Sequence, residues 1–95
     1  MVTHIALFTW LPGVSDEQVT AFGEALDKLA ALRSDIATIR HGRDLAYRGG
    51  NGDYALVATF ADKAGWEDYQ ADPAHKAFVR DFVTPIQASR LTIQF

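Results

Sequence analysis

Two stretches of this chain carry apolar side chains on both faces of an extended strand, and that limits the fold more than any other feature. In residues 2–10, Val2, His4, Ala6, Phe8 and Trp10 would share one face, and Thr3, Ile5, Leu7 and Thr9 the other. In residues 53–61, Tyr54, Leu56, Ala58 and Phe60 line one face, and Ala55, Val57 and Thr59 the other. Strands of this kind belong inside a sheet and call for cover on both sides. A chain of 95 residues has material for one domain, residues 1–95. Folding at that length buries roughly two-thirds of the chain's surface, so one core must serve the whole molecule.

The segments between these strands supply the cover. Leu11-Pro12-Gly13 breaks the first strand. Ser15-Asp16-Glu17-Gln18 reads as a capping box, and Val19, Phe22, Leu26 and Leu29 follow at helical spacing, which predicts a helix over about 16–33. Residues 36–46 read as a second strand. The Gly-rich run Arg48-Gly49-Gly50-Asn51-Gly52 reads as the loop of a hairpin about five residues across. Asp62 can cap a helix through about Ala71 that carries Trp66 and Tyr69 on one side. Asp72-Pro73 restarts it, with Asp72 as N-cap and Pro73 at the first helical position. His75, Phe78 and Phe82 then follow on one face, Pro85 ends the helix, and Ser89–Phe95 reads as a last strand. The order β-α-β-β-α-β is the ferredoxin-like, split βαβ pattern, an α+β class with a four-stranded antiparallel sheet and helices on one face. The uncovered face then keeps Ile5, Leu7, Ala55 and Val57, or the alternate set, and a symmetric dimer packing sheet on sheet would bury it.

Composition removes several functions. There is no cysteine, so disulfides, thiolate nucleophiles and Cys-based metal sites are excluded. The formal charge of −3 gives no basic face for nucleic acid or for an anionic membrane. No apolar run is long enough to span a bilayer, and MVTHIALFTW lacks the marks of a signal peptide, so Met1 is read as the start of a cytoplasmic protein. The three histidines, 4, 41 and 75, show no metal-ligand spacing. Neither a metal nor an organic cofactor is expected.

Chemistry is expected around His75. It stands at the third position of a helix and shares a face with Phe78 and Phe82, so it should point inward. Burial and the helix N-terminus both disfavour imidazolium, and a neutral imidazole near pH 7 suits a general base. The bland alternative is a core histidine bonded to a backbone carbonyl. Tyr69 lies one short turn earlier and could polarise a carbonyl beside it, although a buried tyrosine is commonly just core. His4, on a central strand with Phe8, is expected to lie inside. His41, in the polar run Arg40-His41-Gly42-Arg43-Asp44, is expected to be solvated or at an interface. Asp72 reads as an N-cap, and Arg40, Arg43 and Arg48 as a solvated rim.

At Thr3-His4-Ile5-Ala6-Leu7-Phe8, Gly42, Tyr54-Ala55-Leu56-Val57 with Phe60, and above all Tyr69-Gln70-Ala71-Asp72-Pro73-Ala74-His75-Lys76-Ala77-Phe78, the chain resembles the stress-responsive dimeric α+β barrel (Dabb) family. The last stretch fits the family's Tyr-x-x-His/Asp-Pro-x-His-x-x-Phe signature. The resemblance covers essentially the whole chain and implies a homodimer whose two sheets meet as a barrel. It does not imply a single activity. One branch, similar to olivetolic acid cyclase, closes a linear polyketide by an intramolecular aldol reaction. Its tyrosine and histidine fall on Tyr69 and His75, and its first-strand histidine falls on His4. Asp72 stands where that enzyme has a further histidine.

Three readings follow. In the first, the chain is a cofactor-free enzyme acting on a small carbonyl compound, with His75 as base, Tyr69 holding the enolate oxygen, and His4, Phe8, Phe78 and Phe82 lining an apolar pocket. In the second, it is a non-catalytic ligand-binding or structural dimer in which His75 braces the broken helix. The third is a quinone or haem monooxygenase of the same fold, disfavoured by the absence of a well-placed Asn–Trp–His set.

Overall fold

The computed structural model describes residues 1–95. Strand β1 (Val2–Trp10) is followed by helix α1 (Asp16–Ala31), strands β2 (Ile36–Arg43) and β3 (Tyr54–Phe60), helices α2 (Lys63–Ala71) and α3 (Pro73–Phe78), a π-helical turn (Val79–Val83) and strand β4 (Gln87–Gln94). The four strands form one antiparallel sheet in the order β2-β3-β1-β4, and β1 is central. This is the ferredoxin-like fold.

Alternation along the strands decides which face the helices cover. His4, Ala6 and Phe8 of β1 and Tyr54, Leu56, Ala58 and Phe60 of β3 point to one side, where Val19, Phe22, Leu26 and Leu29 of α1 pack on them. Aromatic rings fill the centre. Phe22 meets Phe8, Trp10, Tyr54 and Phe78 with ring centroids 4.9–5.4 Å apart. The capping box at Ser15 forms in full: Gln18 N–H donates to Ser15 Oγ at 3.1 Å, and Ser15 N–H donates to Gln18 Oε1 at 2.9 Å. No helix is long and apolar enough to cross a membrane.

The opposite face carries Ile5, Leu7, Ala55 and Val57, joined by Leu91 and Ile93, which pair with Leu7 and Ile5 across the sheet. Helices do not reach it: Leu7 is 46% exposed, Ile93 57% and Leu91 74%. The cover expected on both sides of β1 is thus present on one side only within the chain.

Several boundaries differ from the sequence expectation, among them the last strand, which runs Gln87–Gln94 rather than Ser89–Phe95. Helix α1 stops at Ala31, capped by Leu32. Strand β2 stops at Arg43, so the hairpin loop runs from 44 to 53. Asp44 organises that loop by accepting from Ala46 N–H at 3.0 Å and Asn51 Nδ2 at 2.9 Å. The last helix yields to a π turn after Phe78, closed by Thr84 N–H donating to Val79 O at 2.9 Å. The widened turn shifts the helical spacing that would put Phe82 on one face with His75 and Phe78.

Candidate functional site

The corner between α2 and α3 builds the site. Asp72 ends α2 and starts α3, its Oδ1 accepting from Ala74 N–H at 2.7 Å. Pro73 follows at the first helical position, where it has no N–H to lose. Arg33, just beyond α1, fastens the corner from outside. Its Nη1 pairs with Asp72 Oδ2 at 2.6 Å and donates to the Asp68 carbonyl at 3.3 Å, and its guanidinium lies 5.9 Å from the centre of the Tyr69 ring. The sharp corner turns Tyr69 and His75 toward each other, with ring centroids 4.3 Å apart.

Both rings face a cavity of about 270 Å³ between the helices and the β1–β4 half of the sheet. His4, Phe8 and Phe78 line it as well, with Trp66, Val79 and Val83. Phe82 does not. It is 38% exposed and lies in a separate groove between α1 and α3, because the π turn swings it outward and presents Val79 and Val83 instead.

The electrostatics of the cavity keep its imidazoles neutral. Burial lowers the His75 pKa below the ordinary 6.5; His4 and Arg90 act the same way, and the Gln70 carbonyl and Asp72 oppose them. His75 Nδ1 is sealed from solvent, so Nε2 is the nitrogen available to a ligand. The His4 pKa is also lowered, by burial first and then by Arg90. Its Nδ1 faces Trp66 Nε1–H at 3.3 Å and Gln94 Nε2 at 2.9 Å. The indole can only donate, so Nδ1 accepts and the proton sits on Nε2. Burial pushes the Tyr69 hydroxyl up to about 12, against a smaller opposing effect of Arg33. Near neutral pH the cavity therefore offers an unprotonated imidazole nitrogen, a phenol that stays protonated and an imidazole N–H donor. No group of three His, Asp or Glu side chains is placed to hold a metal ion.

His41 differs from its expected solvated place. Strand β2 points it at the helical layer, where Nδ1 pairs with Tyr54 Oη at 2.6 Å and Nε2 with Asp27 Oδ1 at 2.6 Å. It ties α1 to the hairpin, well apart from the cavity. Arg43 is likewise bound, to Asp16 and Thr20 of α1, while Arg40 and Arg48 are exposed. The sequence reading missed Arg33, Gln94 and Arg90. Each acts across the fold, and no local spacing marks it.

Comparison with known proteins agrees with this geometry. No curated protein matches the sequence. A crystal structure of a dimeric ferredoxin-like protein of unknown function from Thermobifida fusca is 36% identical and superposes with a TM-score of 0.92 over 99% of this chain and 88% of that one. Two others share the fold alone. A Dabb family protein from Mesorhizobium loti is 22% identical (TM-score 0.83, over 99% and 93% of the two chains). The hydroxynitrile lyase of Passiflora edulis is 18% identical (TM-score 0.86, over 99% and 90%). The family model of the stress responsive A/B barrel domain matches residues 2–95, and the chain belongs to that family, Dabb.

Proposed function

We propose that the chain works as a homodimer of single-domain protomers, each using its cavity for cofactor-free acid/base chemistry on a small carbonyl compound. The observation that carries the reading is the pairing of Tyr69 and His75 on the wall of a cavity lined by both apolar and polar side chains. In an aldol-type cyclisation, His75 Nε2 removes a proton from carbon next to a carbonyl. The Tyr69 hydroxyl and His4 Nε2–H hydrogen-bond the enolate oxygen. The carbanion attacks a second carbonyl of the same molecule, and the new alkoxide takes the proton back from His75. No electrons are gained or lost, so the reaction calls for no redox partner. The homodimer reading is supported by the uncovered apolar face and by the dimeric description of the Thermobifida fusca relative.

The test is the cyclisation of small 1,5-diketones, heptane-2,6-dione and 5,9-dioxodecanoate among them. The wild-type protein should accelerate it over buffer. His75→Ala should remove roughly 10²–10⁴-fold of the acceleration, the scale of a positioned general base. Tyr69→Phe should remove roughly 10²–10³-fold, the scale of one oxyanion donor. Binding of the diketones without acceleration would overturn the catalytic step and leave the second reading, a non-catalytic ligand-binding dimer.

A further inference from the structure

The charges around the cavity are one-sided. The protein has twelve acidic and nine basic side chains. None of the acidic ones lines the cavity or the adjoining cleft of about 440 Å³, which shares Gln70, His75, Val79 and Arg90 with it. Three of the nine basic ones do: Arg90, Lys76 and Arg80. Arg80 is spoken for, since its Nε donates to Asp81 Oδ1 at 2.8 Å. Asp72, the carboxylate on the His75 side, is held by Arg33 and by Ala74 N–H. Arg90 and Lys76 have no ion-pair partner within the protein, and of the two Arg90 alone lines the cavity itself.

Arg90 also stands where cavity and cleft join. It lies on β4 opposite Phe8, so its side chain leaves the sheet on the side of the helices, as Thr92 and Gln94 do further along the strand. All three line the cavity. Its charge reaches both His4 and His75. An unpaired cation at the junction between cavity and cleft is placed to receive the charged end of a molecule whose apolar part lies against Phe8, Phe78, Val79 and Val83.

We infer that Arg90 selects the ligand of this cavity: an apolar carbonyl compound bearing a carboxylate, whose anionic end sits at Arg90 while its carbonyl lies by Tyr69 and His75. Guanidinium suits this role, since its planar fork presents two parallel N–H groups to a carboxylate. The inference rests on reading the cavity as a ligand site and does not depend on turnover there.

The test is an NMR titration with an aryl keto acid that cannot cyclise on itself, 4-oxo-4-phenylbutanoate, and with its primary amide. Trp66 Nε1–H reports from the cavity wall, and Trp10 in the aromatic core is the internal control. The acid should bind roughly tenfold or more tightly than the amide, the scale of a charge-assisted pair. The preference should shrink in 0.5 M salt. Arg90→Gln should abolish it, and Arg90→Lys should restore part of it. Equal binding of acid and amide by the wild-type protein would overturn the inference, as would failure of the acid to bind or a preference that survives in Arg90→Gln. Tight acid binding without diketone turnover would uphold the role of Arg90 and count against catalysis alone.

Discussion

Gly23→Ala should destabilise the protein, although Gly23 lies in the middle of α1, where alanine is ordinarily favoured by about 1 kcal/mol. A Cβ at Gly23 would stand 2.9 Å from Tyr54 Oη, while its contacts with His41 Cε1 at 3.8 Å and Tyr54 Cζ at 4.0 Å would be ordinary. The phenol cannot swing aside cheaply. Its ring is buried and packed edge-on against Phe22 at 4.9 Å, and its hydroxyl is held by His41 Nδ1 at 2.6 Å. Restoring normal separation means moving the hydroxyl by about half an ångström, which stretches that hydrogen bond. Overpacking of this kind costs about 1–3 kcal/mol. Taking about 2 kcal/mol for the overpacking and about 1 kcal/mol for the helical gain leaves a net loss of about 1 kcal/mol, or roughly 4–8 °C in Tm at this size. Tyr54→Phe removes the obstructing oxygen, so in that background the same Gly23→Ala change should stabilise by about 1 kcal/mol. The assay is thermal and urea denaturation of the four proteins by circular dichroism, at one fixed protein concentration because the proposed dimerisation would shift Tm. A rise in Tm for Gly23→Ala alone, or the same effect in both backgrounds, would refute the reasoning.

Two further predictions concern pH and assembly. In the unfolded chain His4 and His75 take up protons near pH 6.5, whereas in the folded chain they do so only at lower pH. The unfolded state therefore binds more protons in that window, and stability should fall as pH drops through 6.5 toward the folded values, with His75→Gln flattening the slope of urea midpoint against pH between 5.5 and 7. Ile93→Asp together with Leu91→Glu should convert a dimer into monomers in sedimentation velocity, since a symmetric sheet-to-sheet contact would meet each new charge twice; a dimer that persists would rule out the outer face as the interface.

The architecture was legible because its signals are local. Strand alternation identified the residues on each face, and Asp72-Pro73 marked the corner that turns Tyr69 toward His75. What was not legible depended on distant partners. His41 looked solvated among Arg40, Gly42 and Arg43, yet strand pairing directs it between Asp27 and Tyr54, 14 and 13 residues away. Phe82 fitted the helical face of His75 and Phe78 only while the helix kept its ordinary pitch, and the π turn beginning at Val79 has no marker in the residue pattern. Arg90 sits in an unremarkable polar segment, and its place at the cavity arises from pairing with β1.

That pairing gives β4 two duties on alternate residues. Arg90, Thr92 and Gln94 address the cavity, while Leu91 and Ile93 stand among the apolar residues of the outer face. Within one family, substitutions at even positions could retune what enters the cavity while those at odd positions retune how copies associate, and neither series need disturb the other. Changes in chain length are another matter. One residue inserted or deleted between Ser89 and Arg90, past the register shift that β4 already absorbs opposite Thr9 and Trp10, would exchange the two sets, aiming a guanidinium at the outer face and leucine at the cavity. β4 should therefore accept wide variation in side chains between relatives and almost none in length.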